Sequence, residues 1–201
     1  LQLPAGFNPR TLQLAVDLRN RVTPAGTEGR AADMALVEAA IGFFRANPFR
    51  YSLEPPPLGR HAVDEFLFDI QNGFCEHYAS AFVVLMRALD VPARVVTGYQ
   101  GGEVNPVDRV FTVRQADAHA WAEVWIEGRG WLRVDPTATV DPSRVEQGAR
   151  AALRLTNPAA ADAPVLDVTW AARLRYRIEA LQNGWNQWVL NYSWERQQQL
   201  L

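Results

Sequence analysis

The chain has 201 residues, 48% of them hydrophobic, and a formal net charge of −2. This length and composition suffice for one compact domain, or for one domain with an appended helical segment. The small net charge gives no electrostatic basis for binding nucleic acid, and no basic run stands out. All 20 basic residues are arginine, and the single cysteine excludes an internal disulfide and a multi-cysteine metal site.

The sequence contains neither a signal peptide nor an apolar run of about 18 residues, so by itself it predicts neither secretion nor a membrane span. It begins at Leu1 rather than at methionine, which suggests a piece of a longer protein. No internal repeat is evident.

The first seventy or so residues are predicted to be mainly helical. Apolar residues at spacings of three and four indicate helices over roughly 8–22, 27–45 and 61–70. Thr27 is a suitable N-cap for the second helix. Residues 49–53 are typical of a short extended segment, and Pro55-Pro56-Pro57 of a rigid surface loop.

The only cysteine, Cys75, stands at the start of the most apolar helical pattern. Residues 75–89 contain few polar side chains, which predicts a helix through the centre of the domain. A thiol at a helix N-terminus lies beside unpaired backbone N–H groups and the positive end of the helix dipole. Both favour the thiolate, the form that attacks carbonyl groups. A lone cysteine is more often a small core residue, so its meaning depends on residues downstream.

Beyond residue 92 the pattern changes from helical to strand-like. Strands are expected at 94–99, 110–113, 118–126 and 131–134, forming an antiparallel meander. Helices followed by such a sheet define an α+β domain. We expect this domain to occupy residues 1–140, followed by an alanine-rich linker over 141–166 and a helical tail over 167–201.

Two polar residues of the predicted sheet complete a candidate site with the cysteine. His119 lies on the polar face of an alternating strand, and Asp135 ends the next strand. Matching the apolar faces allows a register in which His119 lies directly opposite Asp135 and Glu123 opposite Trp131, with a tight turn near Glu127 or a bulge at a nearby glycine. Asp135 would then fix the tautomer of His119, whose other ring nitrogen could deprotonate the thiol.

A thiolate–imidazolium pair held by a carboxylate is suited to acyl transfer through a thioester. Backbone N–H groups at the start of the cysteine helix could form part of an oxyanion hole. Candidate side-chain donors to that hole are Gln71, Asn72 and Trp121. Taken singly, His119 could be a structural strand histidine and Asp135 a turn residue; the combination of three residues in these contexts is far more specific.

His77 is predicted to brace the start of the cysteine helix. It lies two positions after Cys75, so the two side chains diverge by about 200° around the helix and cannot pair directly. A metal site formed by Cys75, His77 and His119 is a minor alternative. His61, beside the proline-rich loop, is expected at the surface.

Three blocks of the sequence resemble the transglutaminase-like superfamily. They are Gly73-Phe74-Cys75 with Ala79, Asp117-Ala118-His119-Ala120-Trp121-Ala122-Glu123-Val124 and Gly130-Trp131-Leu132-Arg133-Val134-Asp135-Pro136-Thr137. The longer run over 73–82 is similar to the TgpA-type membrane proteins of bacteria, in which such a domain is exposed to the periplasm between transmembrane segments. The resemblance covers roughly residues 8–139.

The resemblance implies a papain-like, transglutaminase-like core with Cys75 as nucleophile, His119 as base and acid, and Asp135 as the residue that orients the histidine. It also implies the periplasmic domain of a bacterial inner-membrane protein. The tail over 167–201 would then be membrane-proximal, and the full-length protein membrane-tethered.

The expected function is cysteine-dependent acyl transfer on amide bonds, with the thioester released to an amine or to water. The substrate would be a peptide or protein that carries a glutamine-type acyl donor, for example in the cell envelope. The amine acceptor would be external, because the chain contains no lysine. No cofactor, metal ion or nucleic acid is expected, and the fragment is expected to be monomeric.

Two alternatives stay open at this point. A dedicated cysteine peptidase of the same fold would differ only in the acceptor. A non-catalytic peptide-binding module would be favoured if the loops at 55–57 or 101–102 blocked the groove in front of Cys75.

Overall fold

The computed structural model describes residues 3–22, 29–140 and 170–190. The chain divides into two compact units. The first unit comprises residues 1–100 and 118–147, and the second comprises residues 101–117 and 148–201.

Helices form most of the first half of the first unit, as predicted. They are α1 (Pro9–Val22), α2 (Arg30–Ala46), α3, which begins as Ala62–Asp64 and continues with π-helical geometry as Glu65–Ile70, and α4 (Cys75–Ala88). The expected N-cap Thr27 lies outside the described residues. The strands β1 (Arg50–Tyr51) and β2 (Asn72–Gly73) pair in parallel, between α2 and α3 and just before α4 respectively.

A buried carboxylate of α3 caps the N-terminus of α1. Asp64 accepts hydrogen bonds from the backbone N–H groups of Arg10 at 2.9 Å and Thr11 at 2.7 Å, and from the Thr11 hydroxyl at 2.6 Å. In return, Asn8 Oδ1 accepts two backbone N–H groups of α3 at 3.1 and 3.3 Å. Each helix start therefore supplies the acceptor that the orphan N–H groups of the other require.

The first unit contains a three-stranded antiparallel sheet. After α4 the chain forms β3 (Ala93–Tyr99), β4 (Glu103–Val104), β5 (Phe111–Thr112), β6 (Ala118–Ile126) and β7 (Gly130–Val134). The sheet order is β3-β6-β7, with β6 in the centre. The predicted meander is wrong at 110–113, because β5 pairs with β4 in a separate hairpin of the second unit.

The register between β6 and β7 corrects the predicted one by two residues. Glu123 pairs with Arg133, whereas the prediction paired Glu123 with Trp131. A shift of two residues preserves the face on which each side chain lies. The polar face of β6 is therefore as expected, but His119 is not directly opposite Asp135.

The loop between the two strands explains the shift. Ile126 pairs with Gly130, so three residues form the connection, and the Arg129 N–H donates to the Ile126 carbonyl at 3.0 Å. Gly128 and Gly130 have φ values of +74° and +80°. Glycine adopts this left-handed conformation without strain, which allows a longer loop than the predicted tight turn near Glu127.

The helix α4 lies in the core between the sheet and the other helices, as predicted for residues 75–89. Its fully buried side chains include Tyr78, Phe82, Leu85 and Met86, all 0% exposed. The residues of β6 that face this core are Ala120, Ala122, Val124 and Ile126, each no more than 1% exposed. Aromatic rings fill the space between the helices and the loop before α3: Phe44, Phe49, Phe66, Tyr78 and Phe82.

The second unit joins the β4–β5 hairpin to a long helix, α5 (Trp170–Leu190). Asn105 Nδ2 donates to the Tyr176 carbonyl at 2.9 Å, and the Tyr176 hydroxyl donates to Glu103. Arg114 forms ion pairs with Glu103 at 2.7 Å and Glu179 at 3.1 Å. No local sequence pattern predicts this association, because the hydrogen-bonded residues of the hairpin and the helix lie more than 60 residues apart in the chain.

The helix α5 falls within the tail predicted over 167–201, whereas the linker predicted over 141–166 lies outside the described residues. The boundaries 1–140, 141–166 and 167–201 stay a prediction. In the parts of the chain that the structure describes, no helix is both long enough and apolar enough to span a bilayer.

Replacing Asp64 with alanine should lower the free energy of unfolding by about 2–3 kcal/mol, because three donors, two of them buried, lose their acceptor. Asp69→Ala is the matched control. It removes an ion pair to Arg10 at 2.8 Å in which both side chains are 51% exposed, and such pairs contribute less than about 1 kcal/mol. Urea unfolding followed by circular dichroism measures both variants. Equal losses would contradict the role given to the buried cap.

Candidate active site

The backbone that precedes Cys75 is fixed by strand pairing. The Arg50 N–H donates to the Gln71 carbonyl at 2.8 Å, and the Ser52 N–H donates to the Gly73 carbonyl at 2.9 Å. These bonds extend the parallel pairing of β1 with β2 on both sides. Cys75, the first residue of α4, therefore follows a segment that is held on rigid elements rather than on a free loop.

His77 braces this helix start, as the sequence predicted. Its Nδ1 accepts a hydrogen bond from the Phe74 N–H at 3.4 Å, and the two rings pack edge to face with centroids 4.5 Å apart. Burial lowers the pKa of His77 below its usual value, against the opposing influence of Glu76. The neutral ring is the form that can accept this hydrogen bond.

Gly73 is required by the same packing. A Cβ at this position would lie 2.8 Å from the ring of His77 and 3.0 Å from the ring of Phe66, closer than side-chain carbons approach. The glycine two residues before the cysteine therefore allows His77 to lie over the loop. Its function is close packing rather than a special backbone angle.

His119 lies between Cys75 and Asp135, so the structure brings together the three residues that the sequence singled out. His119 Nε2 is 2.7 Å from Asp135 Oδ2, and the interaction between the imidazole and the Cys75 thiol shifts the pKa of both groups. Because Nε2 is engaged by the carboxylate, Nδ1 is the ring nitrogen left for the sulfur. The three residues are largely buried: Cys75 is 9% exposed, and the side chains of His119 and Asp135 are 7% and 11% exposed.

The strand register explains how His119 reaches Asp135 without lying opposite it. The pairing of β6 with β7 ends at Ala122 and Val134, and one further step would place Asp135 opposite Trp121. His119 therefore contacts the carboxylate diagonally, along the same face. The β6–β7 pairing stops there, whereas Ala120 stays paired with Thr97 of β3. The backbone of Ala120 contributes to lowering the pKa of Cys75.

Asp135 uses its two oxygens for two purposes. Oδ2 binds His119, while Oδ1 accepts the Thr137 N–H at 3.1 Å and caps a short 3₁₀ helix, Pro136–Thr139. Asp135 therefore acts both as the residue that caps the turn and as a partner of His119. The hydrogen bond of the cap fixes the direction of its carboxylate. Arg133, which sequence reasoning missed, lies 3.8 Å from Oδ2. The sequence feature that could have indicated Arg133 is its position two residues before Asp135, on the same face of the strand.

The electrostatics of Cys75 and His119 favour an ion pair. Burial raises the pKa of the Cys75 thiol, but hydrogen bonds with His119 and with the backbone of Ala120 and Glu76 outweigh burial and lower that pKa below its usual value. Burial likewise opposes a charge on His119, yet hydrogen bonds with Asp135 and Cys75 raise the pKa of His119 to about 9. Near neutral pH the two shifts together stabilise thiolate and imidazolium.

Three buried side-chain polar atoms lack a hydrogen-bond partner among the described residues: Asn72 Oδ1, Trp121 Nε1 and Thr137 Oγ1. Each lies two or three residues from one of the three candidate site residues. An unpaired buried polar group is costly, so such groups mark strain, a bound water or a functional position.

Of the candidate oxyanion donors, Trp121 is placed beside the histidine and Gln71 is already engaged. The ring of Trp121 stacks on that of His119, with centroids 6.4 Å apart and an interplanar angle of 24°. The guanidinium of Arg133 lies 4.2 Å from the centre of the Trp121 ring. By contrast, Gln71 Nε2 donates to the Leu67 carbonyl at 3.2 Å, within the preceding helix.

Comparison with known proteins identifies the class. Residues 21–136 match the family model of the transglutaminase-like superfamily, and the chain belongs to that superfamily. The mixed helix-and-sheet architecture described above is accordingly a transglutaminase-like fold, as the three sequence blocks implied.

Two bacterial proteins are similar to the chain over most of its length. The chain is 45% identical, over 98% of its length, to the protein-glutamine gamma-glutamyltransferase of Pseudomonas aeruginosa, of which it covers 29%. It is 33% identical, over 68% of its length, to the uncharacterized protein YebA of Bacillus subtilis, of which it covers 18%. The chain thus spans less than a third of either relative.

Among solved structures, the chain is similar to the periplasmic domain of TgpA from Pseudomonas aeruginosa. The sequence identity is 50% and the TM-score 0.67, covering 73% of this chain and 48% of the TgpA chain.

We expect the Cys75 thiol to react with iodoacetamide at a lower pH than an ordinary cysteine does, because its pKa is lowered by His119 and by the helix start. His119→Ala should move the half-maximal rate towards higher pH, since burial then acts without the compensating hydrogen bond. The measurement is the alkylation rate as a function of pH.

The same thiol in the urea-unfolded chain provides the reference, because the sequence has no other cysteine. Cys75→Ala should abolish labelling. Identical pH profiles for the native protein and for His119→Ala would show that the histidine does not activate the thiol.

Proposed function

We propose that the chain catalyses acyl transfer from glutamine-type side-chain amides of peptides or proteins. Cys75 is the nucleophile, His119 the general base and acid, and Asp135 the residue that orients His119. The observation that carries the proposal is the 2.7 Å hydrogen bond between the imidazole of His119 and the carboxylate of Asp135. It is supported by the interaction of the same imidazole with Cys75, which lowers the pKa of the thiol and raises that of the imidazole.

In the first half-reaction the Cys75 thiolate attacks the carbonyl carbon of the amide. A carbon–sulfur bond forms, and the carbonyl π electrons move to oxygen. When the tetrahedral intermediate collapses, the carbon–nitrogen bond breaks, and His119 gives its Nδ1 proton to the leaving ammonia. The product on the protein is a thioester. The raised pKa of His119, about 9, keeps it protonated for this step at neutral pH.

In the second half-reaction an amine or a water molecule attacks the thioester. His119, now neutral, accepts the proton of the nucleophile, and the carbon–sulfur bond breaks to regenerate the thiolate. An amine gives a substituted amide, whereas water gives the carboxylate. Asp135 holds the ring in the tautomer with hydrogen on Nε2, so that Nδ1 faces the reacting atoms throughout.

The oxyanion formed in each half-reaction needs donors near the sulfur. The backbone N–H groups at the start of α4 point away from the helix and are suitable donors. We assign the second donor to Trp121 Nε1, since this buried N–H has no partner among the described residues and its ring stacks on His119. Asn72 is the other sequence candidate with an unpaired buried atom, but that atom is an oxygen acceptor.

Glutamine as the acyl donor is supported by the relative named as a protein-glutamine gamma-glutamyltransferase, at 45% identity. The acceptor would come from another molecule, because these 201 residues contain no lysine and so offer no side-chain primary amine. Cell-envelope peptides and proteins carry suitable amines and amides. Similarity to a periplasmic domain supports placement in the periplasm as part of an inner-membrane protein. We also propose that this fragment is monomeric.

Incubation with a glutamine-containing peptide and a fluorescent primary amine should attach the amine to the peptide. Cys75→Ala should abolish attachment, and Asp135→Asn should lower the rate by about 100-fold or more, because the imidazole loses its fixed orientation. Mass spectrometry of the peptide measures the product. Asp69→Ala, which removes an exposed carboxylate on α3, should retain the wild-type rate.

The same experiment separates the alternatives. Cleavage of the peptide backbone without amine attachment would identify a peptidase, and binding without any turnover would identify a non-catalytic module. Either result would contradict the proposed transfer, whereas conversion of glutamine to glutamate without added amine would support it.

Trp121→Phe should lower kcat by about 10- to 1000-fold, because it removes the Nε1–H while keeping an aromatic ring against His119. The pH profile of Cys75 alkylation should stay unchanged, since the thiol and imidazole keep their contacts. Gln71→Ala is the matched control and should retain kcat, because the Gln71 amide is bound to Leu67. An unchanged kcat in Trp121→Phe would rule out the indole as a donor.

A further inference from the structure

One face of α5 carries a stripe of large exposed apolar side chains. Its members are Trp170 (79% exposed), Leu174 (51%), Ile178 (47%), Leu181 (74%) and Trp185 (64%). Successive members are three or four residues apart, so the stripe occupies an arc of about 80° on a helix of 3.6 residues per turn. Its length is about 22 Å at 1.5 Å per residue. Contiguous apolar surface of this kind marks an interaction site.

The opposite face of α5 is already occupied by its own hairpin. Tyr176, Glu179 and Asn183 point to β4–β5 and the loop between them: Tyr176 is 8% exposed, Glu179 pairs with Arg114, and Asn183 donates to Asp108 at 3.1 Å. These residues lie about 180° around the helix from the stripe. The second unit therefore fixes the rotation of α5 so that the stripe faces outward.

The charges of α5 are positive beside the stripe. Glu179 is the single acidic residue between Trp170 and Leu190, and it is bound to Arg114 on the hairpin side. Arg173 and Arg177 are exposed and lie at one edge of the stripe, without an ion pair to another residue in the described parts of the chain. The exposed face of α5 thus combines an apolar centre with two available cations.

This pattern differs from that of a helix that pairs with a second copy of itself. Two copies would place arginines of like charge along the same seam, with no acidic partner on this face. A tryptophan at the end of an apolar face, with arginines beside that face, is instead typical of helices that lie in the plane of a membrane interface. Anionic lipid headgroups supply the negative charge that the arginines lack.

We propose that the exposed face of α5 binds the surface of an anionic phospholipid bilayer, with the helix axis parallel to the membrane and the stripe inserted at the boundary between headgroups and acyl chains. Leu174, Ile178 and Leu181 supply the buried apolar area. Trp170 anchors one end, and Arg173 and Arg177 bind lipid phosphates. This binding is independent of the acyl-transfer chemistry proposed above and would stand if that chemistry failed.

The test uses the full 201-residue chain and vesicles of either pure phosphatidylcholine or phosphatidylcholine with phosphatidylglycerol, in a flotation assay. We expect the chain to float with the anionic vesicles and to be released by high salt. Ile178→Glu with Leu181→Glu should weaken flotation by about 100-fold or more, because it places two charges in the apolar stripe. Arg173→Gln with Arg177→Gln should weaken it by about 30-fold on anionic vesicles only.

The matched control is Gln182→Glu with Asn186→Glu. Both positions are exposed on α5 outside the stripe, so this variant has the same net charge as the stripe variant. It should float nearly as well as the unmodified chain. Helical circular dichroism and Cys75 alkylation should be the same in all variants, which shows that each is folded.

Three outcomes would overturn the proposal. The first is that the unmodified chain fails to float with anionic vesicles. The second is that the stripe variant and its control float equally. The third is that light scattering detects a dimer that the stripe variant abolishes while vesicle binding is absent, which would assign the face to a second copy of this chain.

Discussion

The hydrogen bond between His119 and Asp135, 2.7 Å long, is the interaction on which the candidate site depends. It determines which imidazole nitrogen faces the thiol and supplies the largest favourable contribution to the raised pKa of His119. Without it, only the interaction with Cys75 would oppose the effect of burial on His119, and the cation that favours the ionised thiol would be less stable. A single carboxylate at the end of a strand therefore decides the protonation state of a residue on another element.

The position of that carboxylate is itself a consequence of a turn. Two glycines with positive φ allow a three-residue loop, which shifts β7 by two residues relative to the tighter turn predicted from the sequence. Because side chains alternate, a shift of two keeps Asp135 on the face of His119, whereas a shift of one would have turned it away. The imidazole side chain is long enough to span the resulting diagonal. The predicted contact between His119 and Asp135 therefore forms although the predicted register was wrong by two residues.

The features that were predictable are those fixed by local pattern. The helix that begins at Cys75, the alternating faces of β6 and the bracing by His77 follow from periodicity and helix geometry. The unpredicted features depend on contacts distant in sequence: the cap of α1 by Asp64, 53 or more residues away, and the pairing of Tyr176 with Asn105 across 71 residues. No local pattern encodes such partners. The short strand β4 was missed because two residues cannot show alternation.

Rigidity around Cys75 has a chemical reason beyond stability. Transition-state stabilisation requires donors placed within a few tenths of an ångström, and an N–H on a mobile loop would not meet that requirement. Here the parallel pairing of β1 with β2 fixes the backbone before the cysteine, and Gly73 permits His77 to pack over the same segment. The N–H groups at the start of α4 are therefore preorganised before any substrate binds. Residue 73 is glycine because these contacts leave no room for a side chain at that position.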